Sequence, residues 1–181
     1  MIIHSYILAC VFIYVRFDWF SSIRLSSNRS PFALFFPFIV IDMNSPDMAP
    51  FIFTDKISNG EEMRMFNHGN SRRDFTYIDD IVQGIIHALF VNTGRPELVN
   101  LGNGRPIVLA DFIRIVEKQV GQNAIIKSVP MQKGDVPTTY ADISKAQWLL
   151  GYYPTTTIED GISNFVQWFR EHNASQYRMA M

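Results

Sequence analysis

The sequence predicts an α/β lobe over residues 46–172, and three observations predict it. Short strand-like runs alternate with amphipathic helical runs along that stretch. The helical runs carry stop or start signals, a Gly just past the last apolar position or a Thr three residues before an Asp. The strand-like runs are too few to make a full doubly wound sheet, so the lobe reads as incomplete.

The elements follow in order. Ser45-Pro46-Asp47 has the composition of a helix start, with a capping hydroxyl, Pro at the first helical position and an acid in the first turn. Met48, Phe51, Ile52 and Ile57 would form its buried stripe, and Gly60 its stop. Residues 62–66 read as a short strand and 67–70 as a turn. Thr76 and Asp79 predict a capping pair. It opens a helix with Ile78, Ile81, Val82, Ile85, Ile86 and Leu89 on one face. Residues 98–101 read as a strand. Leu109, Phe112, Ile113, Val116 and Val120 mark a helix closed by Gly121. Residues 124–129 read as a strand, and 143–150 as a short helix stopped by Gly151. Thr157 and Asp160 cap a last helix carrying Ile158, Ile162, Phe165, Val166 and Phe169.

Composition narrows the function. The chain has 181 residues, 48% hydrophobic and 18% charged, which suits one folded domain with a sizeable core. With 16 basic and 17 acidic residues the net charge is −1, so no basic face for nucleic acid is expected. Cys10 is the only cysteine, which rules out an intrachain disulfide and a paired-cysteine metal site. His4, His68, His87 and His172 show no ligand spacing, so a metalloenzyme is not expected.

Residues 1–45 differ in character. Two apolar runs, 1–15 and 31–41, flank a Ser/Arg/Asn stretch at 21–30. Each run is short for a membrane span, Pro37 interrupts the second, and the first lacks the basic start of a signal peptide. Buried strands, a membrane-contacting anchor and a segment that is not native coding sequence all stay open. Lacking caps and helical periodicity, the segment is expected to pack poorly against the lobe. The expected organisation is 1–45 atypical segment, 46–172 lobe and 173–181 tail.

Three segments carry a family resemblance. They are Ser71-Arg72-Arg73-Asp74-Phe75-Thr76-Tyr77-Ile78-Asp79-Asp80, then Asn100-Leu101-Gly102-Asn103-Gly104, then Met131-Gln132-Lys133-Gly134-Asp135-Val136-Pro137 running on to Tyr140-Ala141-Asp142. With Pro46-Asp47-Met48 they resemble the NAD-dependent epimerase/dehydratase family of extended short-chain dehydrogenase/reductase enzymes, most closely the UDP-glucuronate 4-epimerases. The likeness covers about 127 of the 181 residues. It implies the carboxyl-terminal, substrate-binding lobe of an extended Rossmann-type epimerase, without the dinucleotide-binding half. Resemblance stops at the junction, where family members carry Arg before Pro-Asp-Met and this chain carries Ser45.

The residues can be weighed on their own chemistry. Arg offers a planar fork that bonds phosphate oxygens in pairs, and Arg73 sits just before a helix. Spacing alone equally allows a surface ion pair between Arg73 and Asp74; the resemblance implies contact with a UDP diphosphate. Arg72 is expected to be solvated. Asp135 can accept a ribose hydroxyl or fix its own loop through nearby amides. The resemblance favours a place at the nucleotide. Gln132 stands where related galactose epimerases carry a phosphate-binding Arg, so it can donate a hydrogen bond but brings no charge. Lys133 replaces the Pro usual in the glucuronate group. Phe66 is expected at the end of a strand that lies along the uracil in the family, with core packing as the alternative. Gly102-Asn103-Gly104 lacks the third glycine of a dinucleotide fingerprint, Ile107 standing there, and reads as a structural turn. His87 reads as structural.

In the resembled family, NAD and a Tyr-xxx-Lys pair carry out 4-epimerisation through a 4-keto intermediate. No Gly-rich turn precedes residue 46, and none of the tyrosines has Lys four positions on. The resemblance therefore implies a truncated epimerase, inactive alone and without bound NAD, that retains affinity for a UDP-sugar. It also implies a homodimer in the intact family, and a cytoplasmic site in bacteria or a Golgi membrane in eukaryotes. Apolar surface is expected where the missing half would pack. The rival reading is a non-enzymatic module, tethered by residues 1–45, that binds a UDP-sugar or a partner.

Overall fold

The computed structural model describes residues 13–14, 32–35, 39–41 and 48–179. In chain order these form β1 (Ile13–Tyr14), β2 (Phe32–Phe35), β3 (Ile39–Ile41), α1 (Ala49–Ser58), β4 (Glu62–Met65) and a 3-10 turn (Phe66–Gly69). Then come β5 (Arg72–Arg73), β6 (Phe75–Tyr77), α2 (Ile78–Phe90), β7 (Glu97–Asn100), β8 (Ile107–Val108), α3 (Leu109–Val120), β9 (Ile125–Ser128), α4 (Ser144–Leu150) and α5 (Ile158–Met179). Small sheets tie distant segments together. β2 runs parallel to β7 with β1 antiparallel on its other edge. β3 lies parallel to β6, β4 parallel to β9, and β5 antiparallel to β8.

Two apolar cores sit between these pieces. The larger gathers Ile57, Met63, Phe75 and the inner faces of α3 and α5. In α3 the buried residues are Phe112, Ile113 and Val116, the i, i+1, i+4 stripe of a helix facing one side. Phe112 stacks on Phe75 with ring centroids 3.9 Å apart and planes within 9°. The helix stops at Gly121, which takes φ 82° in the left-handed region and returns its N–H to the Glu117 carbonyl at 2.8 Å. The expected Thr157–Asp160 box is present. Asp160 N–H donates to Thr157 Oγ1 at 3.1 Å, and that hydroxyl donates to the Asp160 carboxylate at 2.6 Å. The second core joins α2, α4 and β7 through Ile81, Ala88, Val99, Ala146 and Leu150.

Several expectations are corrected. The start Ser45-Pro46-Asp47 lies outside the described residues; α1 opens at Ala49 with Pro50 in its first turn. Its fully buried side chains are Pro50, Thr54 and Ile57, while Met48, Phe51 and Ile52 are half-buried. Phe51 instead meets Phe169 edge-on, with centroids 5.3 Å apart. Thr76 does not cap α2. It lies mid-strand in β6, opposite Val40, and its hydroxyl is buried without a hydrogen-bond partner. Extended backbone sends that side chain to the face opposite Phe75 and Tyr77, where it is buried, and no side chain caps the helix start. The apolar face of α2 is only partly covered, since Val82 and Ile86 stay exposed.

Among the described residues, strand pairing crosses the break drawn at residue 45. The described parts of the second apolar run form β2 and β3, each parallel to a strand of the lobe. Ile41 belongs to the larger core. An apolar run without helical period also suits a strand of a parallel pair. At the other end, α5 continues past residue 172 to Met179.

Candidate functional site

Strand β5 is the centre of the site because chain runs along both of its edges. On one side Arg72 and Arg73 pair antiparallel with Val108 and Ile107. On the other, Arg72 N–H donates to the Pro137 carbonyl at 2.8 Å, and Thr139 N–H donates to the Arg72 carbonyl at 3.1 Å. Backbone pairing thus lays residues 135–139 against Arg73.

The side chains use that placement. Arg73 Nη2 lies 2.7 Å from Asp135 Oδ1, and its Nη1 donates to the carbonyls of Arg72 at 2.9 Å and Pro137 at 3.4 Å. The Arg73 and Asp135 side chains are 14% and 31% exposed, so the couple sits at the rim of the protein, screened less than a fully solvated pair. Asp135 Oδ1 also accepts from the Val136 N–H at 2.8 Å, and its own N–H donates to the Gln132 carbonyl at 3.2 Å. The aspartate therefore fixes its own loop and holds the arginine.

Asp74 is not the partner of Arg73. It is fully buried, and its Oδ2 accepts from Gly104 N–H and from Ala141 N–H, each at 2.9 Å. Burial pushes its carboxyl above the ordinary range, and the backbone amides around it pull the other way. One carboxylate so ties the strand before α2, the glycine-rich turn and the stretch ahead of α4. The turn is structural, as its missing third glycine suggests. Gly104 takes φ 71°, Asn103 Nδ2 donates to the Phe75 carbonyl at 3.2 Å, and the buried Tyr152 hydroxyl donates to the Gly102 carbonyl at 2.9 Å. Burial first, then the charges of Asp80 and Asp74, raise the Tyr152 hydroxyl and keep it a donor.

The other predicted residues are placed differently. Phe66 does not end β4; it opens the following 3-10 turn and is half-buried. Asn67 and His68 after it both take left-handed φ, 51° and 52°, which non-glycine residues adopt rarely. His68 Nδ1 is held 2.8 Å from Ser128 Oγ, and its N–H donates to the Val129 carbonyl. Gln132 is exposed at the start of the Asp135 loop. Among the described residues, Phe66 makes no hydrogen bond to the Arg73–Asp135 couple, and Gln132 meets it only through its backbone carbonyl, which accepts from the Asp135 N–H. Arg72 is exposed and donates to the Pro106 carbonyl at 3.3 Å. His87 is structural, joining α2 to the last carbonyl of α4, Leu150, at 3.0 Å. Beside the site an open polar hollow of about 300 Å³ is lined by Arg105, Tyr140, Asp142, Ser144, Gln147 and Tyr153 among others, without Arg73 or Asp135. Asp74 and Tyr152 were missed as organisers of the site. The first stands inside a signature segment, but nothing local marks which of its polar residues turns inward.

Comparison with known proteins then sets the geometry in context. The family description GDP-mannose 4,6 dehydratase matches residues 46–165. An uncharacterised protein of Methanocaldococcus jannaschii is 48% identical over 127 residues, covering 70% of this chain and 39% of its own. A probable UDP-glucuronate 4-epimerase of Rhizobium meliloti is 39% identical over 145 residues, covering 70% and 42%. The crystal structure of UDP-glucuronic acid 4-epimerase from Bacillus cereus, in complex with UDP-glucuronic acid and NAD, superposes with a TM-score of 0.69. It is 31% identical, covering 76% of this chain and 44% of that one. MoeE5 in complex with UDP-glucuronic acid and NAD gives a TM-score of 0.73 at 26% identity, covering 79% and 48%. The chain thus spans under half the length of these relatives.

Proposed function

The chain belongs to the GDP-mannose 4,6-dehydratase family within the NAD-dependent epimerases and dehydratases, and from that premise we propose that it carries the nucleotide-gripping part of a UDP-glucuronate 4-epimerase. The parent reaction is interconversion of UDP-glucuronate and UDP-galacturonate through a 4-keto sugar. The pairing of Arg73 with Asp135 carries the reading, because it joins two of the three signature segments at one partly buried cation. An epimerase must let its sugar turn over between two hydride transfers, so the sugar cannot be gripped tightly. Affinity then comes from the unreactive nucleotide. The Arg73 fork keeps donors beyond those given to Asp135 and the two carbonyls, and these suit diphosphate oxygens. Asp135 Oδ2 has no partner among the described residues and suits a ribose hydroxyl. Phe66 offers a ring for the base, and Gln132 a neutral donor on the same loop.

NAD supplies the hydride chemistry in such enzymes, and the described residues do not fit it. In the Gly102-Asn103-Gly104 turn the Gly104 amide is already given to Asp74, so it cannot cradle a pyrophosphate.

Calorimetry with UDP tests the proposal. Arg73→Ala should weaken binding by about 10- to 150-fold, the value of a charge-assisted hydrogen bond in a partly buried cleft. Arg73→Lys should restore it incompletely, because an ammonium lacks the fork. Arg72→Ala should have little effect. A larger loss with Arg72→Ala than with Arg73→Ala, or no loss with either, overturns the reading.

A further inference from the structure

The Arg73–Asp135 couple leaves a charge deficit. Its guanidinium and carboxylate offset one another, so the place proposed for a diphosphate offers a fork of donors but no net positive charge. A diphosphate carries more than one negative charge, and an anion drawn out of water needs cations in place of its hydration. The neighbouring arginines do not supply one. Arg72 precedes Arg73 on β5, on the opposite face of the strand, and donates to the Pro106 carbonyl. Arg105 lines the separate hollow from which Arg73 and Asp135 are absent.

The Asp135 loop carries a cation of its own. Asp135 N–H donates to the Gln132 carbonyl at 3.2 Å, which closes a turn around Lys133 and Gly134. Gly134 takes φ 85°, while the described non-glycine residues with positive φ are Asn67 and His68 alone, so the turn is type II with Lys133 in its first central place. Lys133 is exposed, and its ammonium has no partner among the described residues. Nothing stands within 4 Å of a Cβ built at Gly134, so the crest of the turn is open. We propose that Lys133 is the second cation of the diphosphate site, held on the same turn that presents Asp135; the proposal rests on the functional reading above. Arg73, fixed by the pairing of β5 and by its acceptors, gives a rigid fork. Lys133 gives a compact charge on a flexible stem that can follow the phosphates. Proline would fit its place equally well, because its fixed φ suits the first central residue of a type II turn and the Lys133 N–H has no partner among the described residues. The turn thus does not need lysine for its shape, and the charge is what this residue adds.

Calorimetry of UDP on the full chain tests it with Lys133→Pro, Lys133→Gln and Lys133→Arg. Lys133→Pro keeps the turn and removes the charge, and its melting temperature should equal or exceed that of the unsubstituted chain. Lys133→Pro and Lys133→Gln should each weaken UDP by about two- to fivefold at low salt, the value of one ion pair bordering solvent. Lys133→Arg should bind as the unsubstituted chain does. Both losses should shrink at high salt, where screening removes the attraction. Unchanged affinity in Lys133→Pro overturns the proposal. So does a loss in Lys133→Arg equal to that in Lys133→Gln, or a loss indifferent to salt, since in each case the charge is not what binds. Arg73→Ala measured alongside separates the two readings. A loss with Arg73→Ala and none with the Lys133 variants removes this proposal alone. Indifference to both, or no UDP binding by the unsubstituted chain, removes the functional reading and this proposal with it.

Discussion

The Arg73 guanidinium and the Asp135 carboxylate lie 62 residues apart in the chain and 2.7 Å apart in space. Two short backbone pairings bring them together, Arg72 N–H to the Pro137 carbonyl and Thr139 N–H to the Arg72 carbonyl. The couple depends on β5 keeping both neighbours, so its geometry reports on the whole site.

That couple should show a measurable coupling energy. Arg73→Ala and Asp135→Ala should each lower stability by about 1 kcal/mol, and the double variant by less than their sum, since both remove one partly screened contact. Urea unfolding at low and high salt measures it. Additive losses at low salt would show that the two groups do not interact in solution.

Tyr152→Phe removes one hydroxyl and leaves the Gly102 carbonyl without its donor in a fully buried place. The expected loss is about 1–3 kcal/mol, the penalty for an unsatisfied buried acceptor, with little change in shape. Thermal unfolding followed by circular dichroism checks it, and an unchanged midpoint would refute the assignment.

Asp74 gives a pH dependence with a definite sign. Its folded-state pKa lies above the ordinary carboxylate value. Its contribution to stability is therefore full below the unfolded pKa and is lost as pH rises through the folded one. Asp74→Asn keeps a carbonyl oxygen for the Gly104 and Ala141 amides but cannot ionise. Its stability relative to the unsubstituted chain should rise as pH climbs above the ordinary carboxylate range. Urea midpoints along that climb decide the matter; a relative stability that falls with pH would mean the carboxylate is favoured by folding.

Gly84→Ala sets two effects against each other. Alanine improves helix propensity by about 1 kcal/mol over glycine. Here, though, a Cβ would lie 2.7 Å from Leu101 Cδ1 and 2.9 Å from the Tyr152 ring. Overpacking of that kind costs about 1–3 kcal/mol, so crowding should win and the melting temperature should fall. A rise would show that Leu101 can move aside freely.

What the sequence determined by itself lies within about one helical turn. Gly121 and Gly151 end helices because a left-handed residue is cheap only where there is no Cβ, and that requirement is local. Thr157 and Asp160 cap α5 because their separation alone places hydroxyl and amide in reach. The helical period of α3 likewise chose its buried face before any partner was known. Tertiary structure decided the rest. Thr76 and Asp79 have the spacing of a cap, yet pairing with β3 holds Thr76 extended and buried. The second apolar run looked foreign beside a well-punctuated lobe. Its described residues nonetheless become strands whose meaning depends on β6 and β7 far along the chain. Nothing near Arg73 says whether it faces Asp74 or Asp135. A neighbour in sequence sits on the opposite face of a strand, and the register with residues 137–139 brings the distant carboxylate to the arginine's side.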